Sequence, residues 1–231
     1  MFSGIPCHDL DRRRDRDGVR YSGPATDSHN NAEALEVTPE PSLFQVIFPM
    51  RCSWAQNADV TMQAYHDTEW GVPHHDEHAL FELISLEGAQ AGLSWRTVLA
   101  RREAYRTAYH GFDIARIAAM TDDELTEILT ASGVIRHRLK IWSVRGNALA
   151  ALSLPDGLDQ FLWAFVDGKP IVNRWASSPE VPATSDISDR MSKALRKQGF
   201  RFVGSTICYS LMQASGMIDD HLVTCTVKGK Q

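Results

Sequence analysis

The 231-residue chain lacks most of the features that would assign it quickly to a class. It has no basic surplus: 24 Lys and Arg stand against 29 Asp and Glu, a formal net charge of −5. A strongly basic domain is the usual electrostatic footprint of a nucleic-acid binder. Bulk charge therefore does not announce one, although a local basic face can hold phosphates on an acidic protein. Long apolar runs are missing as well. Stretches such as Phe44 to Phe48 fall far short of the roughly 20 residues that span a bilayer. The opening residues, Met1-Phe2-Ser3-Gly4-Ile5-Pro6, show no basic segment followed by an apolar one, so no signal peptide is expected. With no membrane segment and no leader, the chain reads as soluble and cytoplasmic. Cysteine is scarce: Cys7, Cys52, Cys208 and Cys225 lie far apart. In an intracellular chain of this size disulfides are disfavoured, and metal binding is the sharper option.

Apolar residues are thin over residues 1 to about 43 of the 1–49 extension, which carry the run Asp11-Arg12-Arg13-Arg14-Asp15-Arg16-Asp17 and then Gly, Ser, Asn, Pro and Glu. Such a segment cannot bury enough surface to offset its ordering entropy and is expected to be a disordered extension. The alternative, a basic arm on DNA, is weakened because Asp and Glu outnumber the arginines. Met50 is an alternative start, and residues 50–231 are expected to form one domain.

In that domain strand-like alternation is scarce and helical periodicity dominates. From Asp76 to about Leu99, Leu80, Ile84, Ala91 and Trp95 form one broad apolar stripe at helix spacing. Shorter helices are expected at Phe112 to Ala119 and Asp122 to Thr130. Thr121 before Asp122-Asp123-Glu124 makes a capping box with its acids at the positive helix end. Arg138 to Leu154, Leu158 to Phe165, Ser188 to Gln198 (capped by Ser185 or Asp186) and Val203 to Gly216 complete an all-α reading.

Four groups of residues could carry chemistry. Cys52 and His66 lie near the start of the domain, His221 and Cys225 near its end; the last two are four apart and share a face if helical or turn-like. Two thiolates and two imidazoles are a tetrahedral set that Zn²⁺ accepts. The alternative is two buried cysteines and two surface histidines. Glu87 falls on the apolar stripe itself, among Leu86, Gly88, Ala89 and Ala91. A carboxylate there is either paired with a basic helix or faces a ligand in a dry pocket. Trp54, Tyr65, Trp70 and Trp95 crowd the same region. They are core filler, or walls against which a flipped base stacks. Finally, Ala131-Ser132-Gly133-Val134-Ile135-Arg136-His137-Arg138-Leu139-Lys140 joins two helices through a Gly turn into a basic helix start, where backbone N–H groups bind phosphate well. An ordinary solvated turn is the alternative. For Lys193, Arg196, Lys197 and Arg201 a solvated face is the better reading.

The segments Cys52-Ser53-Trp54, Ala64-Tyr65-His66-Asp67-Thr68-Glu69-Trp70-Gly71-Val72-Pro73, Leu86-Glu87-Gly88-Ala89-Gln90-Ala91-Gly92-Leu93-Ser94-Trp95 and Phe200-Arg201-Phe202-Val203-Gly204-Ser205-Thr206-Ile207-Cys208-Tyr209 resemble those of the DNA-3-methyladenine glycosylase I family, from about Met50 to Cys225. The resemblance implies a helix-hairpin-helix glycosylase fold with one structural zinc tying the chain ends together, on Cys52, His66, His221 and Cys225. With four protein ligands the ion keeps no open position for water and is not the catalyst. The resemblance further implies a base pocket of Glu87, Tyr65 and Trp95, with Trp54 and Trp70 nearby and Ser210 a further member. Met62 stands where the family often has Tyr, and it cannot donate a hydrogen bond. Gly133, Arg136, Arg138 and Lys140 are the expected contacts to the DNA backbone. The resemblance says that the family lacks the Asp that many such glycosylases carry after the hairpin; Asp156 and Asp159 lie in about that region but beside Pro155 and Gly157, in what reads as an exposed loop. No Lys stands out as a Schiff-base nucleophile.

The expected activity is therefore hydrolytic excision of 3-methyladenine from double-stranded alkylated DNA without strand cleavage, by a nucleoid-associated monomer. Two other classes remain: a lesion-binding module that releases no base, and a zinc hydrolase unrelated to DNA.

Overall fold

The computed structural model describes residues 49–131 and 133–229. The expected extension over residues 1–49 lies outside them, save for Pro49. Two short helices come first among the described residues, α1 (Ser53–Gln56) and α2 (Val60–Thr68). Asp59 starts the second, its carboxylate accepting from the Thr61 and Met62 amides. Next come α3 (Glu77–Gln90), capped by Asp76, and α4 (Trp95–Leu99), capped by Ser94.

The single helix expected from Asp76 to about Leu99 is thus broken. Gly92 takes φ +78°, the Leu93 amide donates back to the Gln90 carbonyl at 2.6 Å, and the Ser94 hydroxyl accepts from the Thr97 amide to restart the helix. Glycine enters the left-handed region without a Cβ clash. Local turn and cap chemistry here overrides an apolar period that runs on through the break.

The chain continues through α5 (Arg102–Ala108), α6 (Ile114–Ala118), α7 (Asp122–Thr130), α8 (Arg138–Leu152) and α9 (Gly157–Trp163). The helix expected from Phe112 begins two residues later, because Asp113 caps it by accepting from the Arg116 amide. The Thr121–Glu124 capping box forms in both directions at the head of α7. Strand β1 (Ile171–Val172), helices α10 (Asp186–Lys197) and α11 (Ser205–Ala214), and strand β2 (Ile218–Asp219) complete the order. Ser185 caps α10, and Ser188 reciprocates. The two strands pair in parallel, Ile171 opposite Ile218 and Val172 opposite Asp219. The all-α reading holds: this pairing is the sheet found among the described residues, and none of their helices is long and apolar enough to cross a membrane.

Helix α3 is the centre of the fold. It contacts α4, α8, α9 and α11, and every residue from Leu83 to Ala89 is buried. Leu80, Phe81, Ile84 and Leu86 join Tyr109, Phe112, Ile141, Leu158, Leu162 and Leu211 in one apolar cluster. A helix enclosed in this way carries Glu87 into the interior whichever side that residue faces. Elsewhere in the domain its first and last described segments meet. The Thr226 amide donates to the Met50 carbonyl, and Cys52, Leu222 and Cys225 form a small buried cluster of their own.

Candidate active site and metal centre

Tyr65 and His66 are consecutive on α2, so their side chains leave the helix about 100° apart. One turns to the chain ends, the other to α3 and α4.

On the His66 side, the ligating atoms of Cys52, His66, His221 and Cys225 all lie within 4.8 Å of one another, and all four residues are buried. Cys52 Sγ is 3.6 Å from His221 Nδ1; Cys225 Sγ is 3.5 Å from the same nitrogen and 3.6 Å from His66 Nε2. A tetrahedral ion with bonds of roughly 2.3 Å to sulfur and 2.0 Å to nitrogen spaces S and N by about 3.6 Å, so the donor set fits such an ion. The outward ring nitrogens are committed elsewhere. His66 Nδ1 meets Asp67 Oδ1 at 2.8 Å, and His221 Nε2 meets the Trp70 carbonyl at 3.1 Å. Bonds of this kind fix the tautomer that leaves the inward nitrogen free to ligate. Arg51 grips Asp67 through Nε and Nη2 at 2.7–2.9 Å. Burial alone would raise the Asp67 carboxyl, but the bonds from Arg51 and His66 outweigh it and hold the group below its usual range. The two thiols are split. A hydrogen bond from Cys52, then those from the imidazoles, hold Cys225 far below a normal thiol, and Cys52 beside that sulfur is pushed up. A divalent cation would favour both as thiolates.

On the Tyr65 side, the phenol ring lies 5.3 Å from Trp95 and 6.4 Å from Trp54. Trp54 in turn stands 5.2 Å from Trp70 and 5.1 Å from His66, so a chain of rings links this side to the Cys–His cluster. Met62 is buried with Tyr65 and Leu99 in the same wall. Glu87 is 3% exposed, and its Oε2 has no hydrogen-bond partner; nor does Trp95 Nε1. Burial alone pushes the Glu87 carboxyl up to about 8. The buried Tyr65 hydroxyl is pushed up too, by desolvation first and next by the Glu87 charge, which places the two groups within electrostatic reach. The salt bridge that would make Glu87 a structural acid does not form among the described residues. A buried acid within electrostatic reach of Tyr65, and an indole N–H on the ring that meets Tyr65, both with unmet hydrogen-bonding capacity, are what a site for a polar, flat ligand requires.

Comparison with known proteins settles the family. Residues 54–228 match the methyladenine glycosylase family. The chain is 48% identical over 178 residues to DNA-3-methyladenine glycosylase 1 of Escherichia coli (strain K12), covering 76% of this chain and 95% of that protein. It is 46% identical over 181 residues to the DNA-3-methyladenine glycosylase of Haemophilus influenzae (strain ATCC 51907 / DSM 11121 / KW20 / Rd), covering 77% and 97%. The chain belongs to the methyladenine glycosylase family. Its fold is similar to a solved structure of 3-methyladenine DNA glycosylase I from Staphylococcus aureus, a study of how that enzyme recognises 3-methyladenine, with a TM-score of 0.76, 33% identity and coverage of 78% of this chain and 97% of that one.

In this family member the α7–α8 turn is firmly seated. Gly133 has φ +95°, and a Cβ there would stand 2.8 Å from Ala104 Cβ, so the position requires glycine twice over. The Ile135 amide donates to the Tyr105 hydroxyl, and His137 caps α8. Arg136 and Arg138 are exposed, Arg138 with its guanidinium 3.9 Å over the Trp142 ring. Lys140 departs from the expected DNA-facing position. It is 9% exposed, and its ammonium donates inward to the carbonyls of Ala89 at 2.9 Å and Ala91 at 2.6 Å. Ser210 is half-buried on α11, outside the ring contacts that join Tyr65, Trp54, Trp70 and Trp95. Asp159 accepts from, or is paired with, His75 Nδ1 at 2.9 Å, and Asp156 is exposed. Lys193, Arg196, Lys197 and Arg201 are exposed, as a solvated face requires. Asp67 and Arg51 were not singled out from sequence. The signal available was the position of Asp67, directly after a candidate ligand.

Proposed function

We infer that the chain excises 3-methyladenine from alkylated double-stranded DNA in base-excision repair. The carrying observation is Glu87: a buried acid with a free oxygen and a raised pKa, within electrostatic reach of Tyr65, whose ring meets Trp95, in a member of this family. A base methylated at N3 is cationic, and its glycosidic bond is already weakened. Flipping it out of the stack costs a few kcal/mol, less for a damaged base. In the pocket Trp95 stacks on the base, and the faces of the aromatic wall favour its charge by roughly 0.5–2 kcal/mol per contact. Glu87 accepts hydrogen bonds from its edge, the carboxylate opposite the cation replacing the lost water. The C1′–N9 bond then breaks with its electron pair going to the base, which leaves neutral. Water bonds to the oxocarbenium-like C1′ and releases a proton. No lysine attacks C1′, so the strand stays intact.

The helix-hairpin-helix reading of the α7–α8 turn supports duplex binding, with the Gly133 backbone and the exposed Arg136 and Arg138 against phosphates. Cys52, His66, His221 and Cys225 would hold a single Zn²⁺, and the closed four-ligand set gives that ion the role of joining the chain ends. The test is chromatography of bases released from methylated duplex DNA. Wild type releases free 3-methyladenine and Glu87→Gln releases it about 10²-fold more slowly. No release by wild type overturns the function; parental rate in the variant overturns the role of Glu87.

A further inference from the structure

We propose that Lys140 is a positioning residue for the base pocket, clamping the turn that separates Glu87 from Trp95. The last turn of a helix leaves carbonyls without intrahelical partners. At the end of α3 the Lys140 ammonium takes two of them, Ala89 and Ala91, at 2.9 and 2.6 Å. A cation at that point also meets the negative end of the helix dipole. Glu87 lies two residues before the first of these carbonyls, and Trp95 lies four residues after the second. Between them the backbone reverses: Ala91 leaves the helix at φ −43° and ψ 113°, Gly92 follows at φ +78°, and Gly92, Leu93 and Ser94 are exposed. Exposed backbone of this kind opens readily unless something holds it. The residues on either side must nevertheless keep a fixed separation, because one supplies the acid and the other the ring.

The clamp reaches across from another element. Lys140 stands in the first turn of α8, two residues after Arg138, in a stretch where Gly133, Arg136, His137 and Arg138 are exposed and Val134 is buried; its own stem is buried. The turn assigned to phosphate contact and the turn that shapes the pocket are therefore joined through one side chain. The inference rests on the pocket reading of Glu87 and Trp95.

The test compares Lys140→Met, which keeps length but not charge, with Lys140→Arg in the full chain. Three quantities are read: amide hydrogen exchange of residues 91–95 and of α11 in the free protein, affinity for free 3-methyladenine, and the salt dependence of binding to undamaged duplex. In Lys140→Met, exchange at 91–95 rises about tenfold or more while α11 is unchanged. Free-base affinity falls about tenfold, undamaged-duplex binding keeps its salt slope, and Lys140→Arg recovers part of both losses. Unchanged exchange at 91–95 overturns the clamp. So does a uniform rise that includes α11, which would make Lys140 a general stabiliser. A salt slope lower by about one with free-base affinity intact would assign Lys140 to a phosphate instead. If wild type binds no 3-methyladenine, the pocket reading fails, and the exchange measurement still decides the clamp.

Discussion

The two faces of α2 treat polar groups in opposite ways. Around His66 every committed atom has a partner: each imidazole uses its outer nitrogen on Asp67 or the Trp70 carbonyl, Asp67 is gripped by Arg51, and the inner atoms face one another. Around Tyr65, Glu87 Oε2 and Trp95 Nε1 are buried and unmatched. A buried polar group without a partner costs about 1–3 kcal/mol, more if charged. On the proposed function, a fold that satisfies one cluster so fully and leaves the adjacent one open keeps structure on one side of the helix and recognition on the other.

The largest effect expected from that contrast is on the metal side. With the proposed Zn²⁺ on this cluster, Cys225→Ser or His221→Ala, or treatment with a chelator, should lower the melting temperature by 10 °C or more, on the order of several kcal/mol, and elemental analysis should show zinc in the wild type and its loss in the variants. Base release should fall only as the fold is lost. Activity abolished in a protein that still melts at the parental temperature would erase the distinction between the two faces.

Next in size is a pH effect on stability carried by Glu87. Its folded-state carboxyl is pushed up to about 8 from an ordinary value near 4.5. The folded state therefore holds a proton that the unfolded chain has already released. Stability from this group is complete below about pH 4.5, declines as the pH rises, and is lost once the pH passes about 8. Glu87→Gln cannot ionise and should become more stable than wild type over that window, by on the order of 3–5 kcal/mol at pH 9. Parallel stability curves for the two proteins from pH 5 to pH 9 would show that Glu87 is not buried as an acid.

The same titration should appear in catalysis with the opposite sense. The carboxylate form opposes the cationic base, so kcat/KM for methylated DNA should rise about tenfold between pH 7 and pH 9, and the rise should be absent in Glu87→Gln. A flat wild-type profile would detach recognition from the charge of Glu87. The smallest effect belongs to the support of the metal centre. Asp67→Asn should weaken metal affinity about 10–100-fold, measured by competition with a chelator, with little change in base release at saturating metal.

Several parts of this were legible from residues alone. The Thr121 cap was readable, and the α10 cap was narrowed to Ser185 or Asp186, because both ends of each bond lie within three residues. The Cys–His set was readable from composition only as one of two alternatives until the family resemblance joined its members, and Glu87 stood out because it breaks the apolar stripe. The break at Gly92 was not, since Ala91 and Trp95 continue the helical period across it. Nor was the fate of Lys140: a basic residue next to a Gly turn looks DNA-facing until the end of α3 is seen to lie within reach of its ammonium.

By itself the sequence determined the helical class, the ligand types and the chemistry available to the pocket, because these follow from residue identity and short-range spacing. Only the tertiary structure decided which groups are satisfied. It brought residues 159 apart, His66 and Cys225, to 3.6 Å. It enclosed α3, so that Glu87 lost its water without gaining a cation, and it turned Lys140 inward. Each of those outcomes depends on desolvation and on partners from distant elements, which no local pattern encodes.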